Sequence, residues 1–231
     1  MPKPVIVIVP GAWLKPVCHD AFVHELNTLG FGAFCVSLPT VGSARDPPPD
    51  LHDDIAAVQQ ALRSLANEGR KALVVAHSSG GLISSNAVAG QDNVVGLIYL
   101  AAFLVRKGES LMDLLGGQPL PWMDVQGEKV FGKPSLVASM THTALSLFTQ
   151  ASNYEPWATG LTPCAYIYCE DDNALPIGHQ KHMASLLGSN LHTTTLKAGH
   201  CPFLSMPAVL AEAVKALEEK LDRCARSSSV I

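Results

Sequence analysis

The chain has 231 residues, 48% of them apolar and 16% charged, with a formal net charge of −4. So apolar a sequence can bury enough surface to offset its ordering entropy, which excludes a disordered chain and favours one domain with a large core. Its 16 Lys and Arg are scattered among 20 Asp and Glu, so no basic stripe is offered to a nucleic acid.

The N-terminus, MPKPVIVIVPGAW, carries one lysine and a short apolar run at Val5–Val9. That run is too short for the core of a signal peptide or for a membrane span. The six cysteines, at 18, 35, 164, 169, 201 and 224, include no CxxC pair. A chain of this size needs no disulfide staples, so reduced thiols and a cytoplasmic location are expected.

In chain order, Val5–Val9 predicts a buried strand and Val17–Leu29 a helix ended by Gly30. A second strand is expected at Gly32–Ser37, followed by a Pro-rich loop. Asp50 suits the N-cap of the next helix, with Asp53 and Asp54 in its first turn. Ala72–Ala76 predicts a third strand, Ser79–Ala89 a helix and Val94–Leu100 a fourth strand. The rhythm then breaks: between Ala101 and Leu161 no strand is evident, and Gly, Pro, Trp and Met are dense. Alternation resumes with a strand at Cys164–Cys169, a helix at Ile177–Leu187, a strand at His192–Leu196 and a last helix at Pro207–Arg223. In that last helix Leu210, Val214, Leu217 and Leu221 share one apolar face, and Pro207 suits its first turn.

Continuous apolar strands alternating with helices imply an α/β fold, a six-stranded mainly parallel sheet with helices on both faces. The organisation is a single domain over residues 1–231. A helical cap is inserted after the fourth strand at 103–161, and the tail at 224–231 is expected to fray.

Ligands of parallel sheets gather at the carboxyl ends of the strands. After the third strand stands Ala76-His77-Ser78-Ser79-Gly80-Gly81, a small–x–Ser–x–small turn. There the backbone is so tight that side chains two residues either side of Ser78 must be small. Ser78 is the candidate nucleophile. A serine needs a base, and His200 lies just beyond the sixth strand in Gly199-His200-Cys201-Pro202. The imidazole needs a carboxylate. Beyond the fifth strand Glu170, Asp171 and Asp172 compete for that role, with Asp172 favoured at the loop apex and the other two held in reserve. For the oxyanion hole the candidates are the amide of Ser79 and that of Ala12, in the loop Pro10-Gly11-Ala12-Trp13 after the first strand.

These motifs give the chain a resemblance to the α/β-hydrolase superfamily over essentially its whole length. It is similar to the small single-domain branch that includes plant methylesterases, hydroxynitrile lyases and related bacterial and fungal esterases. The carrying residues are PGAW at Pro10–Trp13, AHSSGG at Ala76–Gly81, EDDNALP at Glu170–Pro176 and GHCPFLSMP at Gly199–Pro207. The resemblance implies Ser78 as nucleophile, His200 as base and Asp172 as acid, with the Ala12 and Ser79 amides as oxyanion hole. Two departures are Pro10 where the family usually has His, and Ala76 in place of the elbow's leading Gly.

The apolar cap predicts a greasy pocket, with Trp122 and Trp13 as candidate substrate-binding residues. His179 and His182 share a helix face without a third ligand in sight, so neither metal nor cofactor is implied. The leading expectation is a serine hydrolase cleaving a carboxylic ester or lactone of an apolar or aromatic small molecule. The alternatives are a lyase or retro-Claisen C–C hydrolase using the same residues, and a non-catalytic small-molecule receptor. The lyase branch of the resembling family uses a cap lysine, and the cap lysines here, Lys107, Lys129 and Lys133, show no clear match. The expected partner is a small-molecule substrate, with no nucleic acid or membrane, and a homodimer is admissible.

Overall fold

The computed structural model describes residues 2–132, 140–189 and 191–228. Its frame is a parallel sheet of β1 (Val5–Val9), β2 (Ala33–Cys35), β3 (Ala72–His77), β4 (Val94–Leu100), β8 (Cys164–Cys169) and β9 (His192–Leu196), in the order β2-β1-β3-β4-β8-β9. Four of these strands have the bounds read from sequence. β2 is shorter than expected, and β3 runs one residue further, to His77. After β1 the chain turns first to β2 and then back to β3 on the other side. The carboxyl ends of β1 and β3 therefore flank the point where strand order reverses, the usual crevice for a ligand.

The strands are continuous apolar runs because both faces are covered. Val5, Val7, Val9, Val74 and Leu97 point to one side, with α2 (Leu51–Asn67), α3 (Gly80–Ala87) and the insertion. Ile6, Ile8, Leu73, Val75 and Ile98 point to the other, with α1 (Asp20–Thr28) and α9 (Pro207–Ser228). Asp50 caps α2 as expected: its carboxylate accepts from the amides of His52 and Asp53, and the Asp53 carboxylate accepts in return from Asp50 N–H. α9 continues past the expected end at Arg223 and into the stretch expected to fray; residues 229–231 lie outside the described residues. Leu217, on the buried face of α9, is fully covered. Leu217→Ala is expected to lower unfolding free energy by about 2–5 kcal/mol in urea denaturation. A loss below about 1 kcal/mol would mean that α9 does not seal this face.

The insertion between β4 and β8 contains α4 (Leu111–Leu114), α5 (Ser146–Thr149) and α6 (Pro156–Thr159), each about one turn long. It also holds a small antiparallel sheet that the sequence reading did not anticipate: β5 (Met123–Gln126), β6 (Lys129–Gly132) and β7 (Thr143–Ala144), in that order. Gly127, at φ 58°, makes the tight turn between β5 and β6. The signal was weak because Asp124, Val125 and Gln126 are all exposed, so apolar alternation has nothing to report there. The remaining helices, α7 (Ile177–Ala184) and α8 (Pro202–Ser205), follow β8 and β9. Among the described residues no helix is long and apolar enough to cross a membrane.

Candidate active site

β3 ends at His77, and the next residue, Ser78, has φ 54°, a left-handed conformation that a side chain other than glycine rarely adopts. Such strain costs roughly 1–3 kcal/mol and persists only where neighbours impose it. Here they do. Ser78 N–H donates to Leu100 O (3.3 Å), and Ser78 C=O accepts from Gly81 N–H and Phe103 N–H, both at 3.0 Å. Gly80 lets α3 start against the end of β1, where an added Cβ would lie 2.5 Å from Val9 O. A Cβ on Gly11 would lie 2.8 Å from Ser78 Cβ, so the loop after β1 can pass beside the serine only as glycine.

His200, in the loop after β9, donates from Nδ1 to Asp172 Oδ2 at 2.7 Å. In the neutral ring that bond leaves Nε2 unprotonated, the tautomer a general base needs. Asp172 is buried while Glu170 and Asp171 are exposed, so of the three competing acids Asp172 is the one that meets His200. Its other oxygen accepts from the amides of Ala174 and Leu175, both at 2.8 Å.

Ser78 and His200 line one cavity of about 190 Å³, with Ala12, Trp13, Leu14, His77, Trp122, Met140, Asn173, Ala174 and Cys201. Both tryptophans chosen from sequence are on its wall, and their rings meet edge to face at 5.5 Å. Among the described residues His200 makes no hydrogen bond to Ser78; such bonds commonly tighten only in the substrate complex. Burial pushes the Cys201 thiol up to about 12, with Asp172 and Cys18 adding to the shift, so it stays protonated and does not compete as a nucleophile at neutral pH. No described lysine lines the cavity; Lys107 and Lys129 lie elsewhere, and Lys133 falls outside the described residues. His179 and His182 are exposed on α7, and among the described residues no cluster of three His, Cys, Asp or Glu could hold a metal.

Three supports escaped the sequence reading. His77 donates from Nε2 to His200 O (2.8 Å), tying the base's loop to the elbow. Its ring is held neutral because burial, then the adjacent His200, pulls its pKa well below the usual range. Gln180, fully buried on α7, donates to Cys169 O (2.9 Å) and Leu175 O (2.7 Å) and accepts from Cys169 N–H (2.9 Å), bracing the loop that carries Asp172. Trp13, itself at φ 68°, is bound to the insertion at three points. Its N–H donates to Thr143 Oγ1 (2.7 Å), its indole N–H donates to Val130 O (2.8 Å), and its carbonyl accepts from Thr141 N–H (3.1 Å). His77 and Gln180 stand in Ala76–Gly81 and between His179 and His182, where no sequence pattern marks them apart from their neighbours. Thr143 had no local signal at all.

Residues 6–213 match the model of the alpha/beta hydrolase family. The chain belongs to that family. This hydrolase is 30% identical to an alpha/beta hydrolase of Aspergillus novofumigatus, over 93% of its own chain and 96% of the relative. It is 26% identical to a pyrethroid hydrolase of Sphingobium wenxiniae, over 90% and 85%. Among solved structures, a pyrethroid hydrolase superposes with TM-score 0.79 at 25% identity, covering 96% of this hydrolase and 99% of that chain. Tomato methylketone synthase I superposes equally well (TM-score 0.79, 95% and 99% covered), but at 16% identity it speaks for the fold alone.

Proposed function

We propose that this hydrolase cleaves a carboxylic ester or lactone of an apolar or aromatic small molecule through an acyl-enzyme. The observation that carries the proposal is the Asp172–His200 hydrogen bond placed beside a strained Ser78 on the wall of a mainly apolar cavity. In the proposed reaction His200 Nε2 takes the Ser78 proton as Oγ attacks the carbonyl carbon. The carbonyl electrons move to oxygen, which the hole formed at Ala12 and Ser79 receives. The tetrahedral intermediate collapses, the alcohol leaves with the proton from His200, and water activated by the same nitrogen releases the acid.

The apolar preference is supported by Trp13, Leu14, Trp122 and Met140 around the serine, and by the pyrethroid hydrolase among the relatives. Hydrolysis is favoured over the lyase chemistry because no described lysine reaches the cavity. The proposal also sets the enzyme in a reducing compartment, the cytoplasm, which suits cysteines that form no disulfide among the described residues.

The test is intact-mass analysis after incubation with a fluorophosphonate. One adduct is expected on the wild type, none on Ser78→Ala and little on His200→Ala. A folded wild type that takes no adduct while turning over esters would overturn the acyl-enzyme.

A further inference from the structure

The serine after the nucleophile does something other than cap its helix. Ser79 is the N-cap residue of α3, where a serine side chain ordinarily accepts from an amide of the first turn. Its side chain makes no such bond. Instead Oγ accepts from Ala12 N–H at 2.8 Å, a bond buried between the elbow and the loop after β1. The Ala12 amide is therefore already taken by a side chain, although it is one of the two amides expected to face the substrate. Ser79 is only 2% exposed, and it lines a narrow extension of the active cavity whose other walls include Phe103, Leu111, Leu115 and Phe148. Among the described residues its hydroxyl proton has no acceptor. A buried O–H left without an acceptor at the mouth of an apolar pocket is costly unless something else receives it.

We infer that the Ser79 hydroxyl is itself a donor of the oxyanion hole. It takes the Ala12 N–H on its lone pair and presents its own O–H, beside its own amide, to the oxygen of the substrate carbonyl. The Ala12 amide then acts through Oγ, polarising the hydroxyl, since hydrogen bonds in series strengthen one another at low dielectric. No proton is transferred from Ser79. As Ser78 adds to the carbonyl carbon, the π electrons move to oxygen, and Ser79 meets the growing charge with two donors. The inference rests on the serine-hydrolase proposal and deepens it by making Ser79 a catalytic residue through its side chain.

The two ideas fail separately. Fluorophosphonate labelling of Ser78 tests the first, and Ser79 variants assayed on an apolar ester test the second. Losing one hole donor lowers kcat by about 10²–10³-fold. Ser79→Ala is expected to show such a fall with KM nearly unchanged and a lowered thermal midpoint, because the buried Ala12 N–H loses its acceptor, and Ser79→Thr to recover most of the rate. The affinity of a trifluoromethyl ketone, which forms an oxyanion in the hole, should weaken in step with kcat/KM across the three proteins. An uncharged apolar competitor should bind all three alike. A Ser79→Ala enzyme within tenfold of the wild type, or faster, would overturn the inference and make Oγ only a prop for Ala12. So would a threonine variant as slow as the alanine, or equal weakening of the ketone and the apolar competitor. If Ser79→Ala does not fold, the ratio of the ketone to the apolar competitor in Ser79→Thr and Ser79→Cys decides, and an unchanged ratio in both overturns it.

Discussion

Asp172→Asn should lower kcat by about 10⁴-fold while the protein keeps its melting temperature within a few degrees. The separation of the two effects follows from the contacts. One carboxylate oxygen accepts from Ala174 N–H and Leu175 N–H, and an asparagine carbonyl oxygen can keep both bonds, so the loop holds its shape. The other oxygen accepts from His200 Nδ1–H at 2.7 Å and, at the longer distance of 3.4 Å, from Gln180 Nε2–H, whose two hydrogens are already held by Cys169 O and Leu175 O. An amide NH2 in its place can only donate, so Nδ1 must become the acceptor and the proton moves to Nε2. The ring then faces Ser78 with the wrong nitrogen protonated, a tautomer error that costs about that factor in serine hydrolases of other folds. Asp171→Asn supplies the contrast: Asp171 is exposed, and among the described residues its side chain makes no hydrogen bond while its backbone N–H donates to Ala198 O at 3.0 Å. It should keep wild-type kcat. If Asp171→Asn is the crippled variant, the assignment of the acid is wrong.

Much of this site is legible in the sequence because it sits at strand ends. Val5–Val9, Val94–Leu100, Cys164–Cys169 and His192–Leu196 kept their bounds, since strands covered on both faces must be apolar throughout. The residue after each such run is at a carboxyl edge by construction, so Ser78, Asp172 and His200 could be found by looking there. Sequence position already favours Asp172 at the loop apex, but neighbouring residues in a loop point in different directions, so its separation from Asp171 rests on burial and on the hydrogen bond to His200.

The insertion was read less well for a physical reason. Its helices are single turns and its strands are short and half exposed, so neither periodicity has room to develop. Apart from Trp122 and Met140 on the cavity wall, what it does for the site is carried by backbone groups and one hydroxyl. Thr141 N–H, Val130 C=O and Thr143 Oγ1 hold Trp13 across more than a hundred residues of chain. A backbone carbonyl belongs to every residue alike, so no motif marks it. The same holds for Ser79: its place in the elbow fixed its amide, while the turn of its hydroxyl toward Ala12 is set by the packing of α3 against the end of β1.

That packing gives the last prediction, in which one kind of substitution has opposite signs at two glycines. Alanine in a helix is ordinarily favoured over glycine by up to about 1 kcal/mol. Gly178, in the first turn of α7, is exposed, and nothing lies within 4 Å of an added Cβ. Gly178→Ala should therefore stabilise the fold by a few tenths to about 1 kcal/mol. Gly80, in the first turn of α3, has the same intrinsic preference but a different neighbour. Its added Cβ would lie 2.5 Å from Val9 O, 2.7 Å from Pro10 O and 3.1 Å from Val9 C. These are backbone atoms, and Val9 is paired to Ala76 in the register that joins β1 to β3. Neither side can swing away as a side-chain tip would. Overpacking of this kind costs about 1–3 kcal/mol, with the upper end expected where backbone must move, outweighing the helix preference. Relief by sliding α3 outward would also carry Ser79 away from Ala12, so the surviving folded enzyme should lose rate as well as stability. Urea denaturation of both variants, with kcat measured at low denaturant, reads both effects. A Gly80→Ala protein as stable and as active as the wild type would mean that α3 does not press on β1 as described, and with it would go the close approach on which the proposed oxyanion hole depends.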